Sequence, residues 1–90
     1  MRITVEYFAQ LRNAAGTHSE SHELSPGGSL ADLLDSIRTR HPDTLAPILG
    51  KAEQLPGWIT VVTDGQVMRD MSISLNADAT VRLLAPLSGG

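Results

Sequence analysis

The sequence predicts an α+β domain of two layers, a β-sheet with one main helix packed on one face. Two observations carry this. Short segments with apolar residues at every second position occur at both ends and in the second half of the chain, and a single stretch carries apolar residues at helical spacing. One helix covers one face of a sheet, so the other face is left for solvent or a partner.

Ile3 to Phe8 alternates, placing Ile3, Val5 and Tyr7 on one face and Thr4, Glu6 and Phe8 on the other. Ala9 to Ala15 is rich in helix formers and stops at Gly16, as a short helix closed by a left-handed cap would, with Phe8 and Leu11 packing together. His18 to Leu24 is a weaker strand dominated by Ser and Glu, a composition suited to an exposed edge, and it ends in the turn Ser25-Pro26-Gly27-Gly28.

Ser29 and Asp32 form a capping-box pattern that opens the clearest helix, running to Arg40. Leu30, Leu33, Leu34 and Ile37 make one apolar stripe, with Asp32, Asp35, Ser36 and Thr39 opposite. Arg38 and Arg40 stand in the last turn, where the helix dipole favours cations, and Pro42 stops the helix after His41. Pro42, Pro47 and Pro56 then forbid a long helix, leaving a short turn around Leu45, Ile48 and Leu49 and a surface loop from Gly50 to Gly57.

Trp58 to Thr63 is strongly strand-forming, and Asp64-Gly65 is a two-residue hairpin turn into a short strand from Gln66 to Arg69. Met71, Ile73 and Leu75 continue the alternation, predicting that the chain crosses the sheet there. Asn76 to Ala79 turns it into a last strand with Val81 and Leu83 on one face and Arg82 and Leu84 on the other. If Val81 and Leu83 face the helix, Leu84 lies on the uncovered face. An apolar residue there, with Phe8 alongside, marks either a partner surface or a patch covered by the 42–57 loop.

Composition narrows the function classes. Ninety residues make one small domain, and with 41% apolar residues but only Tyr7, Phe8 and Trp58 as aromatics the core must be aliphatic. A net charge of −3 without any basic run argues against nucleic acid. The absence of cysteine removes disulfides, thiolate metal sites and cysteine nucleophiles. The opening residues alternate like a strand instead of forming a signal peptide's apolar core, and no apolar run approaches the ~18 residues of a membrane span, so a cytoplasmic location is expected.

The most unusual stretch is the end. The last strand runs through Ala85, Pro86, Leu87 and Ser88 into Gly89 and Gly90, two residues whose lack of a Cβ lets the backbone thread a narrow channel. The reading is a domain over residues 1–86 followed by a flexible Gly-Gly tail over 87–90.

Val5-Glu6-Tyr7-Phe8-Ala9-Gln10-Leu11-Arg12, the helix from Ser29 through Leu33-Leu34, and Leu84-Ala85-Pro86-Leu87-Ser88-Gly89-Gly90 resemble the MoaD/ThiS sulfur carriers, most closely the small subunits of molybdopterin synthase. Ala77-Asp78 stands where that family usually has Gly-Asp. The resemblance implies a β-grasp, ubiquitin-like fold with the first and last strands parallel at the centre of a mixed sheet. It implies that an adenylating, ubiquitin-activating-like enzyme uses ATP and Mg to activate the Gly90 carboxylate, and that a sulfur donor protein converts it to a thiocarboxylate. Gly89, Ser88, Leu87 and Pro86 would thread the partner's channel, and Leu84, Arg82, Phe8 and Arg12 would meet the molybdopterin synthase large subunit or the activating enzyme. The chain itself would bind no cofactor or metal and would not be an enzyme. A ubiquitin-like modifier joined to target lysines through Gly90, a carrier for thiamin or tRNA thiolation, and a β-grasp interaction module remain alternatives.

Other polar residues have simpler readings. His18 and His22 share a strand face, but an edge strand accommodates both without a metal. His41 reads as decoration of the helix end, and Asp32 with Asp35 as capping and a solvated face. Arg12 divides between supporting the tail and a surface ion pair.

Overall fold

The computed structural model describes residues 1–50 and 55–85. The chain runs as β1 (Arg2–Tyr7), α1 (Gln10–Ala15), β2 (Ser19–Glu23), α2 (Leu30–Arg40), α3 (Ala46–Leu49), β3 (Thr60–Thr63), β4 (Gln66–Met68) and β5 (Thr80–Leu84). Five strands form one mixed sheet in the order β2-β1-β5-β3-β4. β1 and β5 are parallel neighbours, with Thr4 opposite Thr80 and Tyr7 opposite Leu83; the other pairings are antiparallel. The last strand is thus central, and the α+β, β-grasp architecture stands.

Alternation explains the layers. Ile3, Val5 and Tyr7 of β1, Val61 of β3 and Val81 and Leu83 of β5 are buried on one face, where Leu30, Leu33, Leu34 and Ile37 of α2 join the same core. Full burial of each such aliphatic side chain contributes on the order of 1.5–3 kcal/mol.

Local signals close the elements as their chemistry requires. The Ser29 Oγ accepts the Asp32 N–H at 3.2 Å while Asp32 accepts the Ser29 N–H at 2.9 Å, completing the capping box. Gly16 takes φ 76° and donates its N–H to the Arg12 carbonyl at 2.9 Å. Asp64 and Gly65 have φ 53° and 76°, the positive pair that a tight hairpin turn needs. Asp78 has φ 63°, a left-handed position that Asp tolerates better than most residues.

Four expectations are corrected. Met71 to Leu75 does not cross the sheet: one isolated bridge, Ser29 to Ser74, is its strand-like pairing. Its Ile73 and Met71 carbonyls instead accept the Leu30 and Ala31 N–H groups at 3.0 and 2.9 Å, satisfying donors that the first turn of α2 leaves open. The third strand starts at Thr60, not Trp58, because the Ile59 N–H bonds back to Pro56 in a turn, and Trp58 is 44% exposed. Arg69 lies beyond β4. Leu11 enters the core, but Phe8 stays half-buried outside it, since the chain turns at Ala9 with φ 53°. The 50–57 loop falls partly, and the tail from Pro86 to Gly90 wholly, outside the described residues.

Candidate functional site

The site begins where β5 ends. Parallel pairing makes β1 and β5 finish at the same end of the sheet, and the Phe8 N–H extends the ladder by donating to the Leu83 carbonyl at 3.2 Å. Continuing that register by one residue sets Phe8 beside Leu84. Ala9 then turns the chain sharply with φ 53° and ψ −128°, a conformation that favours glycine, so this turn carries backbone strain of about 1–3 kcal/mol. Arg12, on α1, reaches back with its Nε donating to the Tyr7 carbonyl at 3.4 Å. It thereby contacts the end of β1, and among the described residues it forms no ion pair; its relation to the tail lies outside the described residues.

The face away from α2 carries a defined pattern. Arg82 donates from Nε to Glu6 Oε1 at 2.8 Å across the central strand pair, and both side chains are at least one-third exposed. Register places Val62 of β3 beside Arg82 and Val67 of β4 beside Val62, while Thr60 flanks Leu84. Val67 is 53% exposed and Leu84 and Phe8 are half-buried. This face thus presents one exposed ion pair with apolar groups toward β3 and β4 and at the strand end. Leu84, Arg82 and Phe8 are brought together as expected from the sequence. Val62 and Val67 are additions that the alternation of β3 and its hairpin register already contained.

A shallow cavity of about 190 Å³ opens beside this end, lined by Glu6, Tyr7, Phe8, Arg12, His18 and Ser19. Pro86, Leu87, Ser88, Gly89 and Gly90, the expected threading and reacting residues, lie outside the described residues.

The residues that sequence reasoning missed lie under the other edge. His22 is fully buried, which the edge-strand reading had not anticipated. Its Nε2 meets Glu20 Oε2 at 2.8 Å and its Nδ1 meets Ser36 Oγ at 2.7 Å. Ser36, half-buried, therefore faces His22 and not only solvent. Glu20 also accepts the Tyr7 hydroxyl at 2.7 Å and His41 Nε2 at 2.9 Å, so His41 does more than decorate the helix end. Because a carboxylate only accepts, both imidazoles must donate from Nε2, and neutral His22 accepts from Ser36 at Nδ1. Burial pushes the Glu20 carboxyl up, but the donors from Tyr7, His22 and His41 outweigh it and hold it below its ordinary value. Burial likewise lowers His22 despite the Glu20 bond, and raises the Tyr7 hydroxyl together with that bond. The signal was present as Glu20 and His22 on one strand face, but their partners His41 and Ser36 come from a distant helix.

Among the described residues, no three His, Cys, Asp or Glu side chains are arranged to hold a metal ion. No helix of the described residues is long and apolar enough to cross a membrane. What the arrangement offers is a half-apolar sheet face next to the exit of a central strand.

Known proteins share this architecture. The small archaeal modifier protein SAMP1 of Haloferax volcanii superposes with a TM-score of 0.87 at 23% identity, over 100% of both chains. SAMP1 of Methanosarcina acetivorans gives 0.77 at 28% identity, over 99% of this chain and 96% of that one. A chain from the complex of subunits 1 and 2 of molybdopterin-converting factor of Helicobacter pylori gives 0.66 at 17% identity over 100% of both, so this fold is also found assembled with a partner subunit. No curated protein sequence matches significantly. The ThiS family model matches residues 5–90, from within β1 to the final glycine, and the chain belongs to that family of small sulfur carriers and ubiquitin-like proteins.

Proposed function

We propose that this chain is a sulfur carrier acting as the small subunit of a molybdopterin synthase, with the Gly90 carboxylate as its chemical site. The observation that supports the reading most is the continuity of a central strand, β5, with a Gly-Gly end inside the family match. The glycines at its end let a chain enter a channel closed to side chains.

In this reading an adenylating partner, using ATP and Mg, joins AMP to the Gly90 carboxylate as pyrophosphate leaves. A persulfide sulfur of a donor protein attacks the acyl carbon and expels AMP. A thiol then cleaves the acyl disulfide, freeing the thiocarboxylate, and the large subunit passes its sulfur to a pterin precursor. The uncovered face with Leu84, Val62 and Val67 docks the partner, while Arg82 and Glu6 set its register. Acid–base catalysis belongs to the partner.

A second reading, a ubiquitin-like modifier attached through Gly90, is favoured by the 28% identity to a protein described as a small archaeal modifier. Carriage of sulfur to thiamin or tRNA shares the same first steps. Product analysis separates them. With ATP, activating enzyme and sulfur donor, the carrier gains the mass of one oxygen-to-sulfur exchange, and a large subunit with pterin precursor returns it to the starting mass. A chain extended by one residue beyond Gly90 loses the exchange completely. Full activity of the extended chain removes Gly90 from the chemistry, and covalent conjugates to lysine in place of discharge establish the modifier.

A further inference from the structure

The edge strand β2 is attached to the domain in a way no other strand is. Its sequence, Ser-Glu-Ser-His-Glu, contains no aliphatic residue, and His22 is its one fully buried side chain. β1, β3 and β5 each insert Val, Ile or Leu into the core. β2 instead meets the inner layer through Glu20 and His22, whose partners come from three places: Tyr7 on β1, Ser36 on α2, and His41 at the end of α2. The Tyr7 and His41 rings also meet edge-on, with centroids 6.3 Å apart.

We propose that Glu20, His22, His41 and Tyr7 form an acid-sensitive clasp, closed at neutral pH, that fastens β2 to the C-terminal end of α2 and releases the strand when it takes up protons. This inference stands independently of the carrier reading. The closed state needs a Glu20 carboxylate accepting from Tyr7, His22 and His41, and a neutral His22 accepting from Ser36. One proton on Glu20 turns an accepting oxygen into a donor that faces other donors. One on His22 Nδ1 removes the acceptor of the Ser36 hydroxyl, unless that hydroxyl rotates. A largely buried polar cluster left partly unmatched is destabilising, and no side chain within β2 is apolar; Leu24, just past its end, is the nearest residue that packs on the core.

The surrounding charges act in the same direction. Arg40 Nη1 lies 3.9 Å from Glu20 Oε2 and also donates to the Ser21 carbonyl at 2.7 Å, so it faces the cluster from α2. Once Glu20 is neutral, Arg40 and any charged imidazole repel. Arg38 is directed to Asp35 and the Gly50 carbonyl instead. The Tyr7 hydroxyl remains protonated throughout.

The sign follows from linkage. Both Glu20 and His22 bind protons less readily in the folded chain than at their ordinary values of 4.5 and 6.5. The released strand therefore takes up protons first. The clasp weakens as pH falls below about 6.5 through the folded His22 value, and further below about 4.5 through that of Glu20.

Hydrogen exchange read by NMR on the full chain tests this. Between about pH 7.5 and about pH 3.5, after correction for intrinsic exchange, the paired amides of β2 lose protection by about tenfold or more while β3 and β5 keep theirs. Glu20→Gln opens β2 already at the upper pH and flattens the dependence. Should that variant fail to fold, His41→Gln, at the partly exposed rim, shifts the opening to higher pH. Protection of β2 that persists at the lower pH, its loss only together with β3 and β5, or an opening profile unchanged in His41→Gln overturns the clasp.

Discussion

The two faces of β5 share a backbone and differ in almost everything else. Val81 and Leu83 are fully buried against the helix layer, whereas Arg82 is exposed and Leu84 is half-buried on the opposite side. The inner pair has its partners within the chain. Among the described residues the outer pair neighbours Glu6, Val62 and Thr60, and Arg82 keeps about half of its side chain exposed. Folding thus uses one face of the strand, the proposed function assigns the other to association, and substitutions one residue apart should separate the two.

The largest effect is expected on the inner face. Leu83→Ala removes a fully buried side chain from the core and should lower unfolding free energy by about 2–5 kcal/mol in denaturant titration. A loss below about 1 kcal/mol would mean that the inner face is not the stabilising one. Leu84→Asp should leave stability within about 1 kcal/mol but weaken binding to the large subunit or activating enzyme by about tenfold or more, because a charge that is easily solvated is costly to bury. Unchanged affinity by calorimetry would make the outer face plain surface.

Glu20→Gln should cost about 1–3 kcal/mol at neutral pH, since several buried donors lose a charged acceptor. The difference from wild type should shrink as pH falls, which thermal melts across the acid range will register. Arg82→Ala, removing an exposed ion pair, should change stability by no more than about 1 kcal/mol. A larger loss would show that the outer face also holds the fold together.

Legibility followed sequence separation. The capping box at Ser29 and Asp32, the Asp64-Gly65 turn and the apolar stripe of α2 are local patterns, and each was readable because a few neighbouring residues decide it. Met71 to Leu75 misled because its alternation is real but serves the N-terminus of α2, where backbone donors needed partners. Phe8, Arg82 and Leu84 could be grouped from strand periodicity and the resemblance. Adding Val62 and Val67 required the register between strands.

By itself, the sequence determined the faces of the strands, the stripe of the helix, the turns and the Gly-Gly end, because steric preference and the side-chain periods of helix and strand act over a few residues. Only the tertiary structure decided that Glu20 meets His41 from 21 residues away and that Glu6 meets Arg82 from 76 residues away. Such contacts depend on which elements become neighbours in space, and that choice is made by burial of the whole apolar set at once, not by any segment alone.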